Sequence, residues 1–298
     1  MKIFVVIVTY NAMRRSWIEK CLKSLEASTV PLLPIVVDNG STDDTPAYIT
    51  DHHPQVVFLP QHKNLGFGKA NNVGIKYSLE HDADYVMLLN QDATLAPDAI
   101  EEMLPHCSDD CLLTPLHLNG EGIRLDTSFR QCLLASGDTL LDDLLLKRQL
   151  NPVYSGPEFS SGCVVPAACW FMSVAIIKKI GGFDPLFFHY GEDVNYAQRL
   201  HYHHIHTMIC PTATMHHDRE LHGDMQVFNR HRMRLLLLVD ACDINISFFT
   251  CMIRWVRTLK NMRFRLFSWI SGMCWLVMRS RRIYLARKKE KMIGTTWL

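Results

Sequence analysis

The residues able to do chemistry in this 298-residue chain stand in short clusters, most at the end of an apolar run. Leu88-Leu89-Asn90-Gln91-Asp92 closes one run. A carboxylate there suits Mg²⁺ or Mn²⁺, which take oxygen donors and bridge phosphates. Glu192-Asp193 follows the aromatic stretch Phe187 to Tyr190. At a helix start the dipole would stabilise both anions, and one could serve as general base on a hydroxyl. Val8-Thr9-Tyr10-Asn11 and Val37-Asp38-Asn39-Gly40 offer polar groups for a base and a ribose. Asn39-Gly40 reads as a tight turn, and Ser41 to Asp44 as a helix cap. Capping accounts for Ser41 and Asp43 and leaves Asp38 unexplained.

Asn64-Leu65-Gly66-Phe67-Gly68-Lys69 is a loop with two glycines and no third at dinucleotide spacing. Gly66 and Gly68 would let a phosphate approach the backbone, and a following helix would offer free N–H groups. Histidines crowd the stretch His201, His203, His204, His206, His216, His217 and His222. Most are expected on the surface. Either His216 or His217, after a strand ending near Pro211, could bind a metal through neutral imidazole. Each cluster also has an ordinary structural reading, as a turn or a helix start.

The elements that must position these residues are legible from apolar periodicity. Ile3 to Val8, Ile35 to Val37, Val56 to Leu59 and Tyr85 to Leu89 read as strands. Ser16 to Leu25, Thr45 to Asp51 and Lys69 to Leu79 read as the helices between them. Alternating Val/Ile-rich strands and helices predict a parallel sheet covered on both faces, with ligands beyond its carboxyl edge. Pro97 should open a further helix, Trp170 to Val174 a strand, and Gly191 to His204 a helix. Asn119 to Pro157 reads as an excursion around the Leu140–Leu146 cluster.

Fifteen of the 31 Lys/Arg but three of the 30 Asp/Glu lie beyond residue 225. The last quarter therefore carries about +12 and the rest about −11. This divides the chain into a body, 1–225, and a basic, apolar helical tail, 226–298. Leu266 to Met278 is too short to span a bilayer but suits a helix lying in its interface. Ten cysteines without a C-x-x-C pair are expected as free thiols in a reducing cytosol. Met1 to Thr9 reads as a buried strand rather than a signal peptide.

Taken in order from about Lys2 to Asp218, the clusters resemble family 2 of the inverting glycosyltransferases, with its type A fold and bacterial rhamnosyltransferase-like members. The resemblance implies a single Rossmann-like α/β domain with a mostly parallel central sheet, followed by C-terminal basic amphipathic helices. It implies that Thr9, Tyr10, Asn11, Asp38, Asn64, Gly66, Gly68, Lys69, Asn90 and Gln91 line a donor nucleotide site. Asp92 would be the second acidic position of the D-x-D metal motif, with Asn90 where many relatives carry Asp. His217 would join the metal, Mg²⁺ or Mn²⁺. Asp193 would be the catalytic base, with Glu192 and Arg199 supporting the acceptor.

The implied reaction is transfer of one sugar from a nucleotide-sugar to a hydroxyl of a glycan or lipid-linked acceptor, in bacterial cell-surface polysaccharide biosynthesis. The expected setting is the inner face of the cytoplasmic membrane, with the tail on anionic lipid and oligomers forming through its helices. A sugar nucleotidyltransferase and a basic-tail nucleic-acid-binding protein are the alternatives. The first lacks its early basic glycine-rich loop here, and the second leaves Asp38, Asp92 and Asp193 unused.

Overall fold

The computed structural model describes residues 1–135, 154–155, 165–219, 225–261 and 266–298. His222, Cys163 and the Leu140–Leu146 cluster lie outside them. The strands are β1 (Ile3–Thr9), β2 (Leu33–Asp38), β3 (Val57–Pro60), β4 (Tyr85–Asn90), β5 (Ala93–Leu95), β6 (Cys111–Asn119), β7 (Tyr154–Ser155), β8 (Cys169–Ser173) and β9 (His206–His217). The α-helices are α1 (Trp17–Glu26), α2 (Thr45–His52), α3 (Phe67–Glu80), α4 (Ala99–Met103), α5 (Thr127–Ala135), α6 (Val174–Ile180), α7 (Glu192–Tyr202), α8 (Met225–Cys242), α9 (Phe248–Asn261) and α10 (Leu266–Glu290).

Among the described residues these nine strands form one sheet in the order β3-β2-β1-β4-β8-β6-β9-β5, with β7 also against β9. The first four are mutually parallel, as the βαβ pattern requires. Beyond β4 the sheet is mixed. β8 runs antiparallel to both β4 and β6, β6 and β9 are parallel, and β5 and β7 run against β9.

Strand β1 shows why both faces must be covered. Ile3, Val5 and Ile7 enter one core with Ile18, Cys21 and Leu22 of α1. Phe4 and Val6 enter the other with Ala70 and Ile75 of α3. On that second face Trp170 of β8 sits among Phe183 and Tyr196, with ring centroids 6.1 and 5.5 Å away. This aromatic group presses α7 onto the sheet and so fixes where its first residues, Glu192 and Asp193, emerge.

Two expectations are corrected. Strand β9 does not end near Pro211 but continues to His217. Proline lacks the N–H that a regular ladder needs. Here the pairing with β6 shifts register between Pro115 and Leu116, so Pro115 opposes Cys210 and Leu116 opposes Thr214. The irregularity absorbs Pro211. Helix α10 is also longer than the apolar stretch Leu266 to Met278, running on through Arg279, Arg281 and Arg282 to Glu290. Among the described residues no helix is long and apolar enough to cross a membrane. Nine cysteines are described and all are free.

The tail returns to the body. Gly182 N–H donates to Thr296 O at 2.8 Å, and Asn72 Nδ2 donates to both Phe183 O and Trp297 O. At Gly181, φ is +82°, and an added Cβ would lie 2.2 Å from Thr296 O. The expected boundary at residue 225 is thus crossed by hydrogen bonds from the last turn of the chain.

Helix α3 rests the bare backbone of Gly74 on the Val6 side chain of β1, where an added Cβ would lie 2.3 Å from Val6 Cγ1. Gly74→Ala should therefore lower stability by about 1–3 kcal/mol through overpacking. Urea unfolding measures this, and an unchanged midpoint would show that the helix can lift away without loss.

Candidate active site

The parallel half delivers polar residues to one edge because its strands end in register. Thr9 lies opposite Asp38, and Val8 opposite Asn90. The loops beyond are laced to one another. Thr9 Oγ1 donates to Asp38 Oδ1 at 3.0 Å, and Ser41 N–H donates to Asp38 Oδ2 at 3.0 Å. Ser41 Oγ also donates to Asp38 Oδ1. Asp38 is 3% exposed. Its carboxylate is thus largely committed to ordering this floor, which accounts for it structurally where the sequence could not. Ser41 does not cap α2. Asp43 accepts from Thr45 N–H at the helix start, at 3.1 Å.

Asn11 has φ +51° and accepts Thr42 N–H at 2.8 Å. Gln91 clasps Tyr10, accepting its N–H at 2.8 Å and donating to its carbonyl at 3.3 Å. Asn39 Nδ2 donates to Asn64 Oδ1, which also accepts Gly66 N–H. Lys69 is exposed at the start of α3.

The two glycines of the Asn64–Lys69 loop have a packing reason of their own. A Cβ on Gly66 would lie 2.1 Å from Phe188 O, and one on Gly68 would lie 2.8 Å from Phe183 Cβ. The close approach that glycine permits is used here by the 183–188 segment. Arg199, expected on the acceptor side, is 0% exposed. Its guanidinium donates to the carbonyls of Gly182 and Ile180 inside the protein. It secures α7 and cannot touch an acceptor.

The mixed half supplies the other side. Antiparallel pairing sets Ala93 of β5 opposite His217 of β9, and Asp218 N–H donates to Asp92 O at 2.9 Å. Asp92 and His217 therefore meet, with Oδ1 and Nε2 3.2 Å apart. Asn90 Nδ2 lies 3.5 Å from the same Nε2, and Asn90 Oδ1 is buried without a partner. His216 points the other way along β9, where an added Cβ on Gly122 would lie 2.7 Å from its ring. Burial works against the Asp92 charge. The neighbouring His217, its own backbone N–H and Arg219 outweigh that and hold the carboxyl below its usual value.

The Asp92–His217 spacing is that of two adjacent ligands on one small divalent ion, whose bonds are about 2.0–2.2 Å. Among the described residues no third His, Cys, Asp or Glu completes a metal cluster. The donor set, a carboxylate, an imidazole and the free amide oxygen of Asn90, fits an ion that takes its remaining ligands from phosphate and water.

Asp193 stands in the first turn of α7, half-buried. Desolvation raises its carboxyl above the usual range, against backbone N–H groups of Val194, Asp193 and Ala167 and the charge of Arg219. Glu192 beside it is buried, and desolvation and then Asp193 push it up to about 8. The two halves close on each other at Ala167-Ala168. Asn90 N–H donates to Ala168 O at 2.9 Å, and the backbone N–H of the adjacent Ala167 favours the ionised Asp193 carboxylate. Asp92 and Asp193 both lie in the field of Arg219.

Arg219 and its partner Asp126 escaped the sequence reading. Asp126 Oδ2 accepts Arg219 Nε–H at 2.8 Å and lies 3.9 Å from His217 Nδ1. Asp126-Thr127-Ser128 before an apolar run was a legible helix-start signal, and Arg219 follows the histidine pair by two residues.

Residues 4–121 match the family model described as Glycosyl transferase family 2. The chain is 28% identical over 214 residues to N-acetylglucosaminyl-diphospho-decaprenol L-rhamnosyltransferase of Mycobacterium tuberculosis, covering 66% of this chain and 69% of that one. Its fold is similar to that of S. aureus TarS 1–349, solved with UDP-GlcNAc, with a TM-score of 0.55 at 17% identity over 96% of this chain and 84% of the other. It is also similar to GalNAc-T7, solved with UDP, GalNAc and Mn²⁺, with a TM-score of 0.57 at 12% identity over 80% and 48% of the two chains.

The raised Glu192 carboxyl has a consequence for stability. The fold keeps a proton that the unfolded chain releases above about 4.5, so stability falls as pH rises from there toward about 8. Glu192→Gln should flatten that fall. Urea unfolding at roughly pH 5 and pH 8 tests it, and a variant as pH-sensitive as the parent would show that Glu192 is ionised in the fold.

Proposed function

Because this chain carries a family 2 glycosyltransferase domain on a type A fold, we propose that it moves one sugar from a nucleotide-sugar to an acceptor hydroxyl, with inversion at the anomeric carbon. The observation that supports this most strongly is the meeting at Ala167-Ala168. Ala168 O accepts the backbone N–H of Asn90, and the N–H of Ala167 beside it favours the ionised carboxylate of Asp193. In this reading a base for the acceptor and an acidic donor end face one cleft, as a displacement from opposite sides of a sugar carbon requires.

In this mechanism the loops after β1, β2 and β3 hold the nucleotide. Thr9 and Asp38 set the floor, Asn11 and Asn39 tie the walls, and Lys69 stands exposed near the diphosphate. Asp193 takes the proton from the attacking hydroxyl. Its raised carboxyl brings it nearer to the strength at which proton removal is efficient at neutral pH. Buried Glu192, pushed up to about 8 by desolvation and then by the neighbouring Asp193, holds its proton at neutral pH beside it. Arg219 faces the charge that develops on the departing diphosphate. Asp92 and His217, with Asn90 alongside, would hold a divalent cation, which when bound neutralises diphosphate charge. The Mn²⁺ in the GalNAc-T7 structure supports this reading.

The M. tuberculosis relative is named for a sugar diphosphate carried on decaprenol. That name supports a lipid-linked acceptor and a role in polysaccharide biosynthesis. The expected contact with an anionic membrane is better supported by α9 than by the first half of α10. Phe248, Phe249, Met252, Ile253 and Val256 are 65%, 71%, 49%, 38% and 49% exposed along one side of α9, with Arg257 exposed beside them. We assign this side to the cytosolic leaflet, with residues 226–298 as the segment that carries the body there.

Asp193→Asn should lower turnover by ~10²- to 10⁴-fold while nucleotide-sugar binding persists. A panel of nucleotide-sugars with lipid-linked acceptors, read by product NMR, gives both the donor and the anomeric outcome. Retained configuration, or full turnover by the variant, would overturn the mechanism. Serine at Phe248, Phe249 and Met252 together should weaken binding to phosphatidylglycerol vesicles at least ~10-fold. Equal flotation of variant and parent would remove α9 from the membrane contact.

A further inference from the structure

The imidazole of His217 uses one nitrogen toward Asp92 and leaves the other without a hydrogen bond. Nδ1 is buried and has no hydrogen-bond partner. It lies 3.9 Å from Asp126 Oδ2, and Asp126 is 3% exposed. Asp126 is itself pinned. Its Oδ1 accepts Phe129 N–H at 3.0 Å and its Oδ2 accepts Arg219 Nε–H at 2.8 Å. Asp126 N–H donates in turn to His117 O at 2.9 Å, which ties it to β6.

A neutral histidine that offers a lone pair at Nε2 must carry its proton on Nδ1. In a buried setting that proton needs an acceptor, and carboxylates commonly take this place behind metal-bound histidines. We propose that Asp126 is a positioning residue. It accepts Nδ1–H of His217, thereby aiming Nε2 at the space beside Asp92, and with the same oxygen it steadies Arg219 next to Asp92 and Asp193. The separation must close by about 1 Å to reach hydrogen-bond length, the tightening that active-site contacts undergo when a site fills. The inference rests on the metal reading above. The competing account is that Asp126 does no more than cap α5 through Phe129 N–H.

Asn and Ser both retain a capping oxygen but remove the charge. Mn²⁺ binding, followed by electron paramagnetic resonance with the ion alone and with the ion plus UDP, separates the two accounts when read beside melting curves. Asp126→Asn and Asp126→Ser should melt close to the parent yet bind Mn²⁺ ~10- to 100-fold more weakly. His217→Ala should show a comparable loss, and the Asp126→Asn, His217→Ala double variant should bind no more weakly than His217→Ala alone. Parent-like Mn²⁺ affinity in the Asp126 variants, or losses that multiply in full in the double variant, would overturn the proposal. Loss of folding in both Asp126 variants would assign the residue to the helix cap and overturn it equally. A parent protein that binds no Mn²⁺ with or without UDP would instead overturn the metal reading itself.

Discussion

The pairing of β5 with β9 is the constraint on which the site depends. Three residues, Ala93 to Leu95, run against Met215 to His217. That short ladder turns the chain leaving β4 back across the sheet edge and brings Asp92 to His217. Without it, Asp92 would be one more polar residue in a loop. The long parallel pairing of β6 with β9 holds the ladder from the other side, and its irregularity at Pro211 lets the strand reach His217 in phase. Most of the sheet's apolar burial thus serves to keep a few polar atoms within a few ångströms of one another. That is how a rigid scaffold replaces solvent reorganisation with fixed charge.

Electrostatics divides the site into two regions of opposite tendency. Around Asp92 the neighbouring imidazole and guanidinium favour the ionised carboxylate. Around Glu192 and Asp193 burial favours the protonated forms. The charge of Arg219 acts on both Asp92 and Asp193, and through Asp126 it is linked to His217. Two carboxylates driven apart in acidity are what a fold needs if one is to hold a cation while another moves a proton.

The first four strands were legible because each is an unbroken β-branched or apolar run, the signature of a sheet buried on both faces. Asp92 and Asp193 stood out as candidates because each sits where a strand ends or a helix begins, the places where side chains project into clefts. The part that Gly66 and Gly68 play in packing was not legible, because glycine marks close approach without saying what approaches, and here the 183–188 segment does. Arg199 was misread because position on a helix does not reveal its face. It points inward to the carbonyls of Ile180 and Gly182. Asp126 and Arg219 acquire their significance from a contact across 93 residues, and no local pattern encodes that.

The hydrogen bonds from Asn72 to both Phe183 and Trp297 join three distant parts of the sequence at one amide. A chain emerging from the ribosome can assemble β1 to β4 early, since those contacts are comparatively close in sequence. The seat beneath α7 has no complete wall until Thr296 and Trp297 arrive. The end of the cleft that carries Glu192 and Asp193 is therefore completed only once residues 296–297 have arrived, and its maturation is set by long-range closure rather than by local folding.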